Sequence, residues 1–218
     1  MRRIVLIVAL ALTGLTLTSS DAFAGKKEKA PAGEAKPLPK IEKIGIAEFD
    51  DVFMKARAIH DNLDEQDLKL KEARTNVNTV LGVATDAPLA TAFQDLKTAA
   101  NGKFKIVLKG TAPKLEASDA VPENVQKGLD AANGLVDVVV GTIAEGKKLE
   151  PQAKELAGAV VAFPGQLSGM GLDPMKLLAA TKIVTANVKA TGSTPDRIVQ
   201  LLKSCEGIFT DLKGVFGA

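Results

Sequence analysis

Between Ile44 and Ala84 apolar residues return every seven positions, and no proline or glycine interrupts the run from Ala47 to Leu81. That repeat limits the chain more than any other feature. One set of positions is Phe49, Ala56, Leu63, Leu70, Val77 and Ala84, and the interleaved set is Val52, Ile59, Gln66, Ala73 and Val80. Only Gln66 breaks the seam, and Lys, Asp, Glu, Arg and Asn fill the positions between. A seven-residue period of this kind predicts one long amphipathic helix with a continuous apolar stripe. At about 1.5 Å per residue it spans on the order of 50 Å, which sets the long dimension of the fold. Such a helix packs within its own chain or against a second copy, so the oligomeric state stays open at this point.

Segments further along repeat the pattern with recognisable starts and stops. Asp86 and Pro88 open a second helix whose apolar face is Leu89, Phe93, Leu96, Ala100 and Val107, although Phe104 to Leu108 also reads as strand and Gly102 weakens the helix. A third helix begins near Asp119, with Pro122 in its first turn and Val125, Leu129, Ala132, Val136, Val139 and Ile143 on one face. Pro151 kinks or restarts it, after which Ala153, Leu156, Ala157 and Val160 carry the face on to Pro164. Asp173 before Pro174 opens a fourth helix with Leu177, Leu178, Thr181, Val184 and Val188. Thr194 before Pro195 opens a fifth, with Ile198, Leu201, Leu202, Cys205, Ile208, Phe209 and Leu212. The expected fold is therefore all-α, an antiparallel bundle of about five amphipathic helices over residues 44–218. Gly128, Gly134 and Gly141 on the third helix are expected to let neighbouring backbones approach. The aromatic content is 8 Phe with no Trp or Tyr, so the core must be largely aliphatic, with few rings for stacking on sugars or bases.

The N-terminus reads as an address. Arg2 and Arg3 precede an apolar run from Ile4 to Leu12, extended to Leu17, and Ser19, Ser20, Asp21, Ala22, Phe23 and Ala24 form a small-residue cleavage region. Residues 1–24 thus read as a cleavable signal peptide, too short and too polar at its end for the roughly 20 residues of a membrane span. No cysteine is near it to carry a lipid. The expected location is periplasmic or secreted, with the mature chain soluble. Residues 25–43 form a disordered leader rich in Lys, Pro, Ala and Glu, in which Pro31, Pro37 and Pro39 prevent a continuous helix.

Charge and chemistry mostly exclude. With 28 Lys and Arg against 26 Asp and Glu, the net charge of +2 gives no reason to expect nucleic acid. The single cysteine, Cys205, forbids an intrachain disulfide and sits on the most apolar helical face, where a small hydrophobe is expected. With His60 as the one histidine, and with neither a Gly-x-Ser-x-Gly turn nor a phosphate loop, no enzyme class and no cofactor are expected. A di-iron bundle needs a second histidine and a glutamate where Arg57 stands. His60, Asp64 and Asp67 do share a helical face at spacings of four and three, which is one way to hold a cation with mixed ligands. The alternative is a solvated acidic flank.

The most unusual mature segment is 156–172, LAGAVVAFPGQLSGMGL, 17 residues without a charge. It is either a buried helix end and turn, the commoner fate of apolar residues, or an apolar surface that meets a ligand, a partner or a membrane. In the second case Val160, Val161, Phe163, Leu167, Met170 and Leu172 make the contact. Three functions follow as expectations. The first is a non-enzymatic binding or scaffolding module of the bacterial cell envelope for a partner helix or apolar ligand. The others are a membrane-active or lipid-binding protein using 156–172, and a metal-binding protein using His60, Asp64 and Asp67.

Overall fold

The computed structural model describes residues 40–109 and 112–217. The expected signal peptide and residues 25–39 of the expected leader lie outside the described residues, whereas its last residues, 40–43, expected to be disordered, join the fold: Ile41 is buried in the smaller core and the Glu42 backbone bonds to Asn187, so the domain begins before residue 44. Within them the chain is predominantly helical. Its elements are α1 (Ala47–Val80), α2 (Leu89–Ala100), β1 (Phe104–Lys109), β2 (Ala112–Ala117), α3 (Glu123–Val160), α4 (Phe163–Ser168) and α5 (Pro174–Phe216).

α1 is the helix that the heptads predict, 34 residues without a break. Phe49, Ala56, Leu63, Leu70 and Val77 are all buried, while Ala84 lies beyond the helix end and is exposed. The second stripe is shallower than expected. Ile59 is buried, but Val52, Gln66 and Ala73 are half-buried and Val80 is exposed. Phe53 and His60, one position further round, take the buried places instead. The cause is that α1 meets both α3 and α5, so its buried face centres on the first stripe rather than between the two. Asn62 donates to Glu145 at 3.2 Å and Thr142 to Gln66 at 3.2 Å, so α1 and α3 run in opposite directions. His60 meets Thr194 and Asp67 meets Arg197, so α1 and α5 run in the same direction.

Neither Pro151 nor Pro195 restarts a helix. α3 continues through Pro151 for 38 residues, and α5 continues through Pro195 for 43 residues, so Thr194 and Pro195 start no new helix and the expected fourth and fifth helices are one. A proline inside a helix removes one backbone donor and crowds the preceding turn, at a cost of about 3 kcal/mol. Here burial on both sides of Pro195 outweighs it: Val184 and Ala190 precede it, and Ile198 and Leu201 follow, all nearly inaccessible. The hydroxyls of Ser193 and Thr194 also donate to the Ala190 carbonyl at 2.8 and 3.3 Å. The start of α5 is as expected, with the Asp173 carboxylate accepting from the Met175 and Lys176 amides at 3.0 and 3.4 Å.

The all-α expectation needs a second correction, because an antiparallel hairpin follows α2. Asn101 and Gly102 adopt left-handed conformations with φ of 46° and 76°, which ends the helix at Ala100. Val107, expected on the face of the second helix, lies in β1 opposite Lys114. Of the three glycines expected at close contacts only Gly128 is buried, where an added Cβ would meet Leu81 and Leu96 side chains at 2.7 and 2.8 Å. Gly134 and Gly141 face open space, and Gly146, packed beneath Leu202, takes their role.

The interior divides in two. The larger apolar cluster joins α1 beyond Ile59 to α2, the hairpin, α3 and the second half of α5, with Leu63, Leu129, Leu135, Ile198 and Leu201 at its centre. The smaller joins Ile41, Phe49, Phe53, Ala56, Val160, Phe163, Leu167, Val184 and Ala190 at the opposite end. Three asparagines fasten the non-helical segments to this frame. Asn187 both receives from and donates to the Glu42 backbone at 3.1 and 2.6 Å. Asn78 donates to the Thr85 and Ala87 carbonyls at 3.1 and 2.9 Å. Asn133 bonds both backbone groups of Leu115 at 2.8 Å each.

Candidate functional site

The uncharged stretch 156–172 forms the end of α3, the short helix α4 and the turn into α5, and it divides by side chain. Val160, Phe163 and Leu167 are buried in the smaller core. Phe163 stacks on Phe49 with centroids 4.3 Å apart and planes at 8°, and meets Phe53 edge-on at 5.4 Å. Leu172 is half-buried against the same cluster. Val161 and Met170 face outward, 72% and 41% exposed. Neither pure burial nor pure exposure describes the segment: its inner residues anchor α4, and its outer residues remain apolar and open.

Met175 and Leu178 in the first turns of α5 are likewise open, 77% and 56% exposed. Leu178 was expected on the buried face of a helix. Its neighbour Leu177 takes the inward position, because the buried sequence on α5 runs through Val184, Asn187, Ala190, Thr191 and Thr194. The chain enters the described fold at this same end, since Ile41 is 2% exposed within the smaller core and Asp50 accepts from the Ile44 and Gly45 amides at 2.7 and 3.0 Å.

His60, Asp64 and Asp67 do not converge. No group of three His, Cys, Asp or Glu able to hold a metal occurs among the described residues. His60 is 5% exposed and its Nε2 lies 2.7 Å from Thr194 Oγ1. The same hydroxyl also lies 3.3 Å from the Ala190 carbonyl. Asp67 pairs with Arg197, and Asp64 is exposed. Arg197 is 7% exposed, and burial pulls its guanidinium below its usual value while the Asp64 carboxylate opposes the shift. The resulting layer of His60, Asp67, Thr191, Thr194 and Arg197 lies between the two apolar clusters. Sequence reasoning missed its α5 half, although Asn187, Thr191 and Thr194 stand where the apolar period of α5 expects hydrophobes.

The other candidates are Cys205 and two hollows. Cys205 is 0% exposed, and burial pushes its thiol up to about 12. A cavity of about 130 Å³ between Leu81, Leu96 and Val125 is smaller than the several hundred cubic ångströms of an ordinary ligand site, and a hollow of about 440 Å³ over Leu68, Lys71, Glu72, Thr75, Asn76 and Thr79 is lined by α1 alone. No helix among the described residues is long and apolar enough to cross a membrane. No protein-family model, curated protein or solved structure matches the chain.

Proposed function

We propose that this protein is an exported, non-enzymatic binding or scaffolding module of the bacterial cell envelope, built as an antiparallel helix bundle that engages a partner helix or apolar ligand through the end formed by α4 and the start of α5. The observation that carries the reading is the outward set Val161, Met170, Met175 and Leu178, left open on a stretch whose inner residues are firmly anchored. Apolar surface of this kind gains free energy when a partner covers it, at roughly 25 cal/mol per Å². The chemistry elsewhere supports a binder over a catalyst. His60 is bonded within the buried layer and Cys205 is an inert core thiol.

The experiment is native mass spectrometry of the protein purified from its source compartment, compared with Val161→Asp/Met175→Asp. Both positions are exposed, so the substitutions leave the fold intact. A retained ligand or partner that disappears in the variant supports the reading. Unchanged retention refutes it. A second reading, contact with a membrane surface through the 156–172 stretch, draws on the same outward residues Val161 and Met170. Co-flotation with anionic vesicles that is lost in the same variant separates it from the first. The metal-binding alternative has the weakest support, since His60 and Asp67 are engaged elsewhere.

A further inference from the structure

The two edges of the hairpin are finished differently, on a surface distinct from the apolar end. The Ser118 amide donates to the Lys103 carbonyl at 3.1 Å, one step outside the pairing of Phe104 with Ala117. Antiparallel pairs alternate between bonded and non-bonded. Residues 105, 107 and 109 therefore exchange bonds with β2, and the backbone groups of Phe104, Ile106 and Leu108 point away from it. The same alternation turns Pro113 and Leu115 outward on β2.

β2 is closed along that outer edge. Pro113 has no amide to offer, Asn133 occupies both backbone groups of Leu115, and Lys114 reaches the Asn133 carbonyl and Asp137 at 3.1 and 2.5 Å. β1 has none of these devices. The sheet has two strands, and among the described residues nothing pairs with the outward groups of Ile106 and Leu108. Leu108 is 37% exposed. An open strand edge is a template for a further strand.

Charge selects the occupant. Lys103, Lys105 and Lys109 are exposed along this edge, and Glu116, within 3.6 and 2.9 Å of the last two, is the one carboxylate paired with them among the described residues. A second copy is disfavoured. Antiparallel self-pairing of Ile106 with Phe104, Ile106 or Leu108 of another chain sets Lys105 opposite Lys105, Lys103 opposite Lys109, or Lys105 opposite Lys109, and like charges directly opposite are destabilising. We propose that the outer edge of β1 is a strand-addition site for an extended acidic segment of a partner protein, which bonds to the backbone of Ile106 and Leu108 and sets carboxylates opposite Lys103, Lys105 and Lys109.

The test uses the purified chain and two fluorescent peptides of about eight residues, one alternating Glu with Val and one alternating Lys with Val, read by anisotropy and by amide exchange at Ile106 and Leu108. The acidic peptide binds at least about tenfold more tightly, weakens with salt, and protects both amides. Leu108→Pro removes an outward amide without touching a hairpin bond, so it abolishes binding with an unchanged helical spectrum. Lys105→Glu/Lys109→Glu provides a measurement that does not depend on tolerating proline: it reverses the preference toward the lysine peptide. Equal binding of the two peptides, absence of binding, insensitivity to both variants, or sedimentation of the wild-type chain as a dimer that Leu108→Pro dissociates would each overturn the proposal.

Discussion

Replacing Phe163 by alanine tests how α4 is held, and with it the surface that α4 carries. Phe163 is 7% exposed and touches Phe49 and Phe53 as a stacked and an edge-on ring. A buried Phe→Ala change costs about 3–5 kcal/mol. Phe163 stands on a helix of 6 residues at the end of the bundle, where the site can partly collapse, so the lower end applies and we expect about 3 kcal/mol. Each aromatic pair contributes about 0.5–1.5 kcal/mol beyond burial, so Phe163→Leu, which keeps bulk and loses both pairs, should cost about 1–3 kcal/mol. In a domain of this size about 3 kcal/mol corresponds to a fall of roughly 6–12 °C in Tm. With no Trp or Tyr in the chain, unfolding in urea is followed by far-ultraviolet circular dichroism. A double-mutant cycle of Phe49→Leu with Phe163→Leu should give a coupling of about 0.5–1.5 kcal/mol. A loss below about 1 kcal/mol for Phe163→Ala, or strict additivity in the cycle, would refute the claim that these rings hold α4 to the bundle.

Asn133→Ala leaves both backbone groups of Leu115 without their side-chain partner and should cost about 1–3 kcal/mol, with faster hydrogen exchange at the Leu115 amide. Asp67→Asn strips the nearly buried Arg197 of its counter-charge. Because the Asp67 side chain is 32% exposed, we discount the usual cost of breaking a buried pair to about 1–3 kcal/mol, and Asp67→Leu/Arg197→Met should recover most of it in the same urea titration. Cys205 should stay unlabelled by a thiol reagent at pH 8 in the native protein and react on unfolding. Its raised folded-state value means that its contribution to stability is complete below the unfolded value near 9 and fades as pH climbs toward 12. Glu116 is shifted downward, chiefly by its bond to Lys109, so the hairpin gains from it above the ordinary carboxylate range and loses that gain as pH falls through the lowered value. A proton-exchange titration of the hairpin amides should show the loss, and Glu116→Gln should remove it.

The long α1 was legible because its signal is repeated five times over, at Phe49, Ala56, Leu63, Leu70 and Val77, so no single residue decides it. The prolines misled for the opposite reason. A local rule about Pro195 was set against burial contributed by α1 and α3, which are distant in sequence. The hairpin was half visible: Asn101 and Gly102 mark the stop and Phe104–Leu108 alternates, but β2 contains Pro113 and two lysine or glutamate positions, and its place depends on an amide from Asn133 on α3. The uncharged stretch is visible in the sequence, whereas its division into anchored Phe163 and open Val161 depends on where Phe49 and Phe53 stand in space.

The buried layer between the two apolar clusters also fixes how far α1 is allowed to slide. A heptad helix is nearly self-similar under a shift of seven residues, about 10 Å along its axis, so most stripe positions beyond Ile59 stay apolar after such a slip. Moved one way, α1 sets Arg74 against Arg197 where Asp67 now stands. Moved the other way, it sets His60 against Arg197 and leaves Phe53 facing the Thr194 hydroxyl. Both slipped states strand a nearly buried guanidinium without a carboxylate. The ion pair and the imidazole bond thus add a polar penalty against both slips to the one set by the Phe49 and Phe53 rings on Phe163.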